Sequence, residues 1–236
     1  IPFTAARARN EGALFIQNHH PQIEFIQFVD GDCEVQSGWL SKAAIFLESS
    51  DDYAVVCGRR RERYPNASVF NQLCDMEWNT PIGEAISCGG DALVRVEAFQ
   101  QVNGYRESLI AGEEPEMCFR MREQGWRIMR LDAEMTLHDA AMTKVSQWWK
   151  RHKRAGHAYA ESYYLHGKTE EHFRFKEIRS NIIWALILPA VLIVSLWQPV
   201  VLWLLLVYPL QLLRLTIRDK KQDTSFTHSL IVATSN

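Results

Sequence analysis

Short apolar runs alternate with segments of helical periodicity along the first 140 residues of the chain. Runs of this length, bounded by turn residues, predict strands; they are EFIQFVD, YAVVCGRR, WRIMRL and EMTLHD. Apolar residues at helical spacing predict helices in GWLSKAAIFLES, SVFNQLCDMEW and PEMCFRMREQG, and DALVRVEAF predicts a strand that leads into a short helix. Strands that alternate with helices predict an α/β fold built on a sheet.

The pattern changes beyond residue 140. Residues 144–164 predict a long amphipathic helix that is basic and aromatic, and residues 182–215 carry no charge until Arg214. One membrane span needs roughly 20 apolar residues, so the apolar run predicts a hairpin of two short transmembrane helices with its break at residues 197–199. A buried core hairpin is the less favoured alternative, because so long an uncharged run is hard to bury in a small domain.

Basic residues flank the apolar run on both sides: Arg174, Lys176, Arg179, Arg214, Arg218, Lys220 and Lys221. By the positive-inside rule, both ends of the hairpin then lie in the cytoplasm. The chain is thus predicted to have four parts. Residues 1–140 form the α/β domain, 141–180 an interfacial helix and linker, 181–218 the transmembrane hairpin, and 219–236 a cytoplasmic tail or the start of a further segment.

Composition excludes several classes of protein. The 236 residues are 47% hydrophobic and 23% charged, which is typical of a folded chain. The formal net charge of -2 gives no general attraction to nucleic acid, although basic clusters occur at residues 59–63 and 150–154. Five widely spaced cysteines without a CxxC motif argue against a disulfide framework and suit a reducing compartment. The chain begins at Ile1 without a signal peptide, so we expect a fragment of a longer protein.

The first predicted strand runs directly into Asp30-Gly31-Asp32. In open α/β sheets, ligands bind beyond the carboxyl ends of the strands. Two carboxylates one residue apart can converge there on Mg²⁺ or Mn²⁺, which proteins hold with one or two carboxylates and substrate phosphates, and glycine allows a tight turn. A polar hairpin turn is the alternative, since Asp-Gly is also a hairpin signal.

Three further groups of residues accompany this triplet. Glu113, Glu114 and Glu116 open a predicted helix, where they either complement the helix dipole or supply a general base. His138 follows a predicted strand, where an imidazole is either structural or a ligand of the same metal. Gly89 and Gly90 precede another strand, where they either form a turn or leave room for a sugar.

The motifs FVDGDCEVQSGWL, CGGDALVRVEAFQQVNGYRE, GEEPEMCFRMREQGWRI and LHDA stand in the order and at the spacing of the inverting family-two glycosyltransferases of GT-A fold. The resemblance covers residues 1–140. It implies a Rossmann-like mixed sheet flanked by helices, and it implies that the family's first nucleotide-binding strand would precede Ile1. The segment AARARNEGALF is similar to the family's ARNxG segment, which implies that Arg9, and less directly Arg7, lies near the nucleotide diphosphate.

The resemblance also implies roles for the acidic residues. Asp30 and Asp32 correspond to the DxD motif that holds the metal on the diphosphate, with Asp32 the more direct ligand, and His138 would be a further ligand. Glu113-Glu114 stands where the family usually has Glu-Asp. Glu114 takes the place of the catalytic base, and the choice between these two glutamates stays open.

The remaining matches concern the sugar and the acceptor. Gly89 and Gly90 fall in the nucleotide-sugar site. The segment QWWKRHKR stands where processive members carry Gln-x-x-Arg-Trp, and because it departs from that motif we do not predict a processive polymer synthase.

The function implied is an inverting, metal-dependent hexosyltransferase that moves a sugar from a nucleotide-diphosphate donor, with UDP-sugars favoured, to a hydroxyl acceptor. The cofactor would be Mg²⁺ or Mn²⁺. The predicted hairpin places the enzyme on the cytoplasmic side of the cytoplasmic membrane, beside a membrane-proximal or lipid-linked acceptor, in cell-envelope glycan or glycolipid synthesis. Two alternatives stay open: a nucleotidyltransferase, and a degenerate transferase domain that serves as a membrane-bound interaction module.

Overall fold

The computed structural model describes residues 4–220, which fall into two compact units, Ile1–Ala158 and Tyr159–Asn236. The predicted tail of residues 219–236 lies outside the described residues from Lys221 onward. The first unit contains a mixed sheet flanked by helices, as the alternating pattern predicts.

The sheet of the first unit has six strands in the described residues: β1 (Phe25–Phe28), β2 (Cys33–Val35), β3 (Tyr53–Glu62), β4 (Gly83–Ala85), β5 (Ala92–Arg95) and β6 (Arg127–His138). Their order is β1-β5-β3-β6-β2, and β4 pairs with β6 beside this path. Strands β3 and β6 are parallel, whereas the other pairs are antiparallel. The prediction of two separate strands in WRIMRL and EMTLHD is wrong, because β6 continues through the polar residues between them. Register shifts against β3 accommodate that stretch.

Five helices accompany the sheet: α1 (Ala5–His19), α2 (Trp39–Glu48), α3 (Val69–Glu77), α4 (Val96–Gln101) and α5 (Glu113–Glu123). The helical pattern predicts the last four but not α1. The Thr4 side chain caps α1 by accepting a hydrogen bond from the Arg7 backbone at 3.2 Å. Only two small residues of α1, Ala6 and Ala13, are buried, so its sequence lacks the wide apolar stripe that marks a core-facing helix.

Valine and aromatic side chains fill the core between the sheet and α2. Val55, Val56 and Val94 are nearly inaccessible, and the Trp39 indole donates to the Gln27 side chain at 2.8 Å, which satisfies its buried N–H. Gly58 permits this packing, because a Cβ there would lie 2.7 Å from the Trp39 ring and 2.6 Å from the Ala133 carbonyl.

The acidic triplet connects strands that do not pair with each other. Strand β1 pairs with β5, whereas β2 pairs with β6. Asp30-Gly31-Asp32 does form a turn, in which the Cys33 N–H donates to the Asp30 carbonyl at 3.0 Å, but the turn does not close a hairpin. The triplet crosses from one edge of the sheet to the other, above the ends of the strands that lie between.

Helix α6 (Val145–His166) spans the division between the two units. The second unit continues with α7 (Phe175–Ser195), a 3₁₀ segment Pro199–Leu206 and α8 (Val207–Lys220). Within residues 4–220, one helix, α7, is long and apolar enough to cross a membrane, and Pro199–Gln211 is a shorter apolar segment. The predicted break at residues 197–199 coincides with the end of α7, but the second arm is a 3₁₀ segment followed by α8 and not one apolar helix.

Candidate functional site

Helix α5 begins after Gly112, whose φ of 78° lets the chain turn sharply into the helix. Its three acidic residues have different surroundings. Glu116 is fully buried and accepts hydrogen bonds from Arg106 and Arg120 at 3.0 Å. Because its carboxylate is fully engaged with these two arginines, Glu116 belongs to the scaffold.

Glu114 lies in a small nest of donors. Its Oε1 atom accepts from the Cys88 backbone N–H at 2.6 Å and from the Cys88 and Cys118 thiols at 3.0 Å each. Burial raises the pKa of Glu114 above its ordinary value, although these hydrogen bonds oppose the shift. A carboxyl group whose pKa is raised by burial is typical of general acid–base sites.

Glu113 is tied directly to the acidic triplet. The Arg9 guanidinium donates to Glu113 Oε1 at 2.8 Å and to Asp30 Oδ1 at 2.5 Å, and it lies 5.4 Å from the centre of the Tyr105 ring. Helix α1 thus brings the predicted nucleotide arginine between the two predicted acidic motifs. Arg7 is not part of this cluster, because its nearest acidic partner is Glu11 on the same helix, at 3.9 Å.

Asp30 lies between two arginines. Besides Arg9, the Arg60 guanidinium lies 3.2 Å from Asp30 Oδ2. Burial alone would raise the pKa of Asp30, but the charges of Arg60 and Arg9 outweigh it and hold that pKa below its ordinary value. The Asp30 carboxylate is therefore ionised and largely neutralised by its neighbours.

The buried carboxylate of Asp91 fixes the positions of Arg60 and Asp30. Asp91 is fully buried and accepts from Arg60 Nε at 2.9 Å, from the Thr136 hydroxyl at 2.7 Å and from the Asp30 backbone N–H at 2.9 Å. Strands β3, β5 and β6 meet at this point. The start of the triplet is thus fixed to the sheet by charge-assisted hydrogen bonds.

The two predicted glycines lie against the same groups. A Cβ on Gly90 would lie 2.7 Å from both the Arg60 guanidinium and Asp30 Oδ2, and Gly89 has a φ of 78°. Residue 90 can therefore only be glycine without displacing the Arg60–Asp30 pair. The short segment from Cys88 to Gly90 links the Glu114 nest to Asp30.

Asp32 and His138 form the exposed end of the site. Their strands pair so that Cys33 stands opposite His138, and His138 Nε2 lies 3.4 Å from Asp32 Oδ1. The Trp78 ring packs edge-on against His138 at 4.7 Å between ring centres.

The ligand atoms of Asp30, Asp32, Cys33 and His138 lie within 4.8 Å of one another. Adjacent ligands of an octahedral ion held at 2.0–2.1 Å are about 3 Å apart, so the Asp32–His138 pair fits a Mg²⁺- or Mn²⁺-sized ion. Asp32 is exposed and has no arginine partner in the described residues, so it is the freer of the two aspartates. Cys88, Glu114 and Cys118 form a second close group, in which both thiols already donate to the carboxylate.

The sequence pattern does not predict Arg60, Asp91 or Thr136 in the site. The sequence does offer a weak signal for two of them, because Arg60 lies in the basic cluster at residues 59–63 and Asp91 directly follows Gly90. The pairing of β3 with β5 and β6 brings these residues into the site. That pairing cannot be predicted from local periodicity.

No family model matches the chain, and no curated protein matches it. Among solved structures, the chain is similar to residues 1–349 of TarS from S. aureus, with 15% identity and a TM-score of 0.43 over 66% of this chain. It is also similar to the same fragment of TarS in complex with UDP, with 14% identity and a TM-score of 0.40. The chain spans 45% of the length of these structures. A likeness at this level assigns no function.

Proposed function

We propose that the chain is the catalytic part of a metal-dependent, inverting glycosyltransferase that uses a nucleotide-diphosphate sugar. The observation that carries the proposal is one network of contacts. Arg9 joins Asp30 of the triplet to Glu113 of α5, and the segment from Cys88 to Gly90 joins the same triplet to Glu114. Residues that are far apart in the sequence, each matching a family-two motif, therefore form one site.

In this proposal, Asp32 and His138 hold the metal ion. Their ligand atoms are 3.4 Å apart and Asp32 is exposed, so both can reach one ion without rearranging the buried network. A bound Mg²⁺ or Mn²⁺ would supply neutralisation of the charge that develops on the departing nucleotide diphosphate. Asp30, between two arginines, orients Arg9 and Arg60 and supplies at most a secondary ligand atom.

Glu114 is the proposed general base, and it removes the proton of the acceptor hydroxyl as that oxygen attacks the anomeric carbon. The attack comes from the side opposite the leaving diphosphate, so the configuration inverts and no covalent enzyme intermediate is needed. Burial of Glu114 supports this role, because a raised pKa makes its carboxylate a stronger base. Glu113 is less suited to the role, since its carboxylate is paired with the positively charged Arg9 at 2.8 Å, whereas the donors to Glu114 are neutral thiol and amide groups.

The donor is proposed to bind across Arg9 and the two glycines. Arg9 offers a guanidinium to the diphosphate. A Cβ at Gly89 would meet nothing within 4 Å, so the space beside this glycine is open. We favour UDP as the nucleotide on the family resemblance alone.

We further propose that the protein acts on the cytoplasmic side of the cytoplasmic membrane, on a membrane-proximal or lipid-linked acceptor. The support is the apolar helix α7, of which 6% is buried, and the basic face of α6. Of the two tryptophans at the start of α6, Trp149 is the exposed one, whereas Trp148 lies 6.4 Å from Phe70 between ring centres. Only Trp149 is therefore free to enter an interface.

The experiment that tests the proposal measures release of free nucleotide from a panel of nucleotide sugars, with and without Mn²⁺, by the full-length protein in detergent. We expect metal-dependent release that is lost in Asp32→Ala and kept in Asp51→Ala, an exposed aspartate in a turn. Equal activity of native protein and Asp32→Ala would refute the assignment of the metal site. Absence of release with every donor would refute glycosyl transfer.

A further inference from the structure

A polar cavity of about 380 Å³ lies in the first unit, apart from the candidate site. It is lined by residues of α2, β3 and β6, and it shares no residue with the site described above. Six of its lining residues are charged: Lys42, Arg59, Arg61, Arg130, Asp132 and Glu134. Four of these are basic and two are acidic. Asp75 pairs with Arg59 beside the cavity, so one positive charge is left in excess.

Arg130 is the most unusual member of this group. It lies within β6, opposite Cys57 of β3 and Gly83 of β4, and it is 3% exposed. Its Nε–H has no hydrogen-bond partner among residues 4–220. A buried guanidinium is costly unless an acceptor meets it, and Arg130 is one of the residues that line this cavity, which is large enough for a small ligand.

Two of the acidic residues nearby, Asp75 and Glu134, are paired with other arginines, whereas Asp132 lines the cavity on the same strand as Arg130. Arg59 Nη2 donates to Asp75 at 2.9 Å, and Arg61 donates to both oxygens of Glu134 at 2.6 Å. Burial lowers the pKa of Arg59, and repulsion by Arg61 and Arg130 adds to this shift despite the acidic partners. The cavity therefore favours the entry of negative charge.

We propose that this cavity binds a phosphate or diphosphate group, with the Arg130 guanidinium as its principal donor. Arginine presents parallel N–H groups that match the oxygens of phosphate. A phosphate group offers three strong acceptor oxygens, so it can accept from Arg130 and from Lys42 together, whereas a carboxylate offers two. The arginines that line the cavity would bind the phosphate group, and the rest of the cavity has room for the molecule that carries this phosphate.

The test is calorimetric titration of the purified full chain with inorganic phosphate and with pyrophosphate, in EDTA so that no divalent metal contributes. We expect one site per chain for inorganic phosphate, whereas pyrophosphate can also bind at Arg9 in the proposed donor site. Arg130→Gln should weaken phosphate binding by about tenfold or more, because it removes a charge-assisted hydrogen bond. Lys42→Gln, an exposed change on α2 that leaves the core intact, should weaken it by a smaller factor through the loss of one charge.

The matched control is Arg127→Gln on the same strand, since Arg127 is exposed and pairs with Asp52 and Glu84 outside the cavity. Its affinity should equal that of the native chain. Circular dichroism would check that Arg130→Gln folds, and Lys42→Gln carries the test if it does not. The proposal is overturned if the native chain binds neither anion, if Lys42→Gln and Arg130→Gln bind like Arg127→Gln, or if acetate binds as tightly as phosphate.

Discussion

Replacing Glu114 with glutamine removes a carboxylate charge from the centre of the proposed site while keeping its shape. The Cys88 backbone N–H, which lies 2.6 Å from Glu114 Oε1 in the native chain, can still donate to the amide oxygen of glutamine. The matched variant is Glu113→Gln, one residue earlier on the same helix turn. It replaces the charge that faces Arg9 by a neutral amide, and Arg9 keeps its bond to Asp30.

The two variants should differ clearly in rate. Loss of a general base lowers turnover by roughly 10²–10⁴, or about 3–5 kcal/mol in activation free energy. Glu113→Gln removes one charge-assisted hydrogen bond, worth about 1.5–3 kcal/mol, and we expect its effect mainly in KM for the donor, because Arg9 would position the diphosphate less firmly. The split between kcat and KM therefore distinguishes the two roles.

Glu114→Gln should lower turnover but raise the stability of the fold at neutral pH. Burial raises the folded-state pKa of Glu114 above the ordinary value of 4.5. Its contribution to stability is therefore complete below about pH 4.5 and is lost as the pH rises through the folded-state pKa. At pH 7 the buried charge is unfavourable, so Glu114→Gln should unfold at a higher temperature than the native chain. That advantage should shrink as the pH falls towards 4.5.

Steady-state nucleotide release and thermal unfolding, each measured across pH 4 to 8, would test both expectations. The acid limb of the native kcat profile should lie above pH 4.5, because Glu114 must be deprotonated to act. The reasoning is refuted if Glu113→Gln loses kcat and Glu114→Gln does not. A Glu114→Gln protein that is less stable than native at pH 7 would show that its carboxylate has a structural role instead.

Three further predictions concern the frame of the site and the membrane. Asp91→Asn should destabilise the fold by about 3 kcal/mol in urea unfolding, because Arg60 loses a buried partner; a change below about 1 kcal/mol would contradict the role given to this carboxylate. Gly90→Ala should raise KM for the donor with little change in unfolding temperature, since its Cβ would press on the Arg60–Asp30 pair. A cysteine at Gln198 should react with an impermeant thiol reagent in intact cells, whereas labelling only after lysis would mean that the apolar segment does not cross the membrane.

Much of the site could be predicted from the sequence because its residues stand at the ends of elements. Asp30, Glu114 and His138 each follow a strand or open a helix, and periodicity locates such ends well. Asp91 and Arg60 act through a pairing across three strands, which depends on register. That register is irregular here, with shifts beside Arg59 and Arg60, so no local pattern contains it.

The limits of the fold prediction have the same origin. Strands β2 and β4 have three residues each, too few for an alternating pattern to be recognised. The only fully buried residues of helix α1 are two alanines, so its sequence shows little of its packing against the core. In both cases, what determines the structure is a neighbour distant in the chain.

The site contains two pairs of acidic residues, and in each pair the members are in different electrostatic states. Asp30 is neutralised by Arg9 and Arg60, whereas Asp32 is exposed beside His138. Environments that separate the behaviour of adjacent carboxylates also separate their roles in acid–base sites. Arg9 is the residue that makes this separation, because it occupies one acid of each pair, Asp30 and Glu113. In the proposed function, this arrangement leaves Asp32 to hold the metal ion and Glu114 to accept the proton.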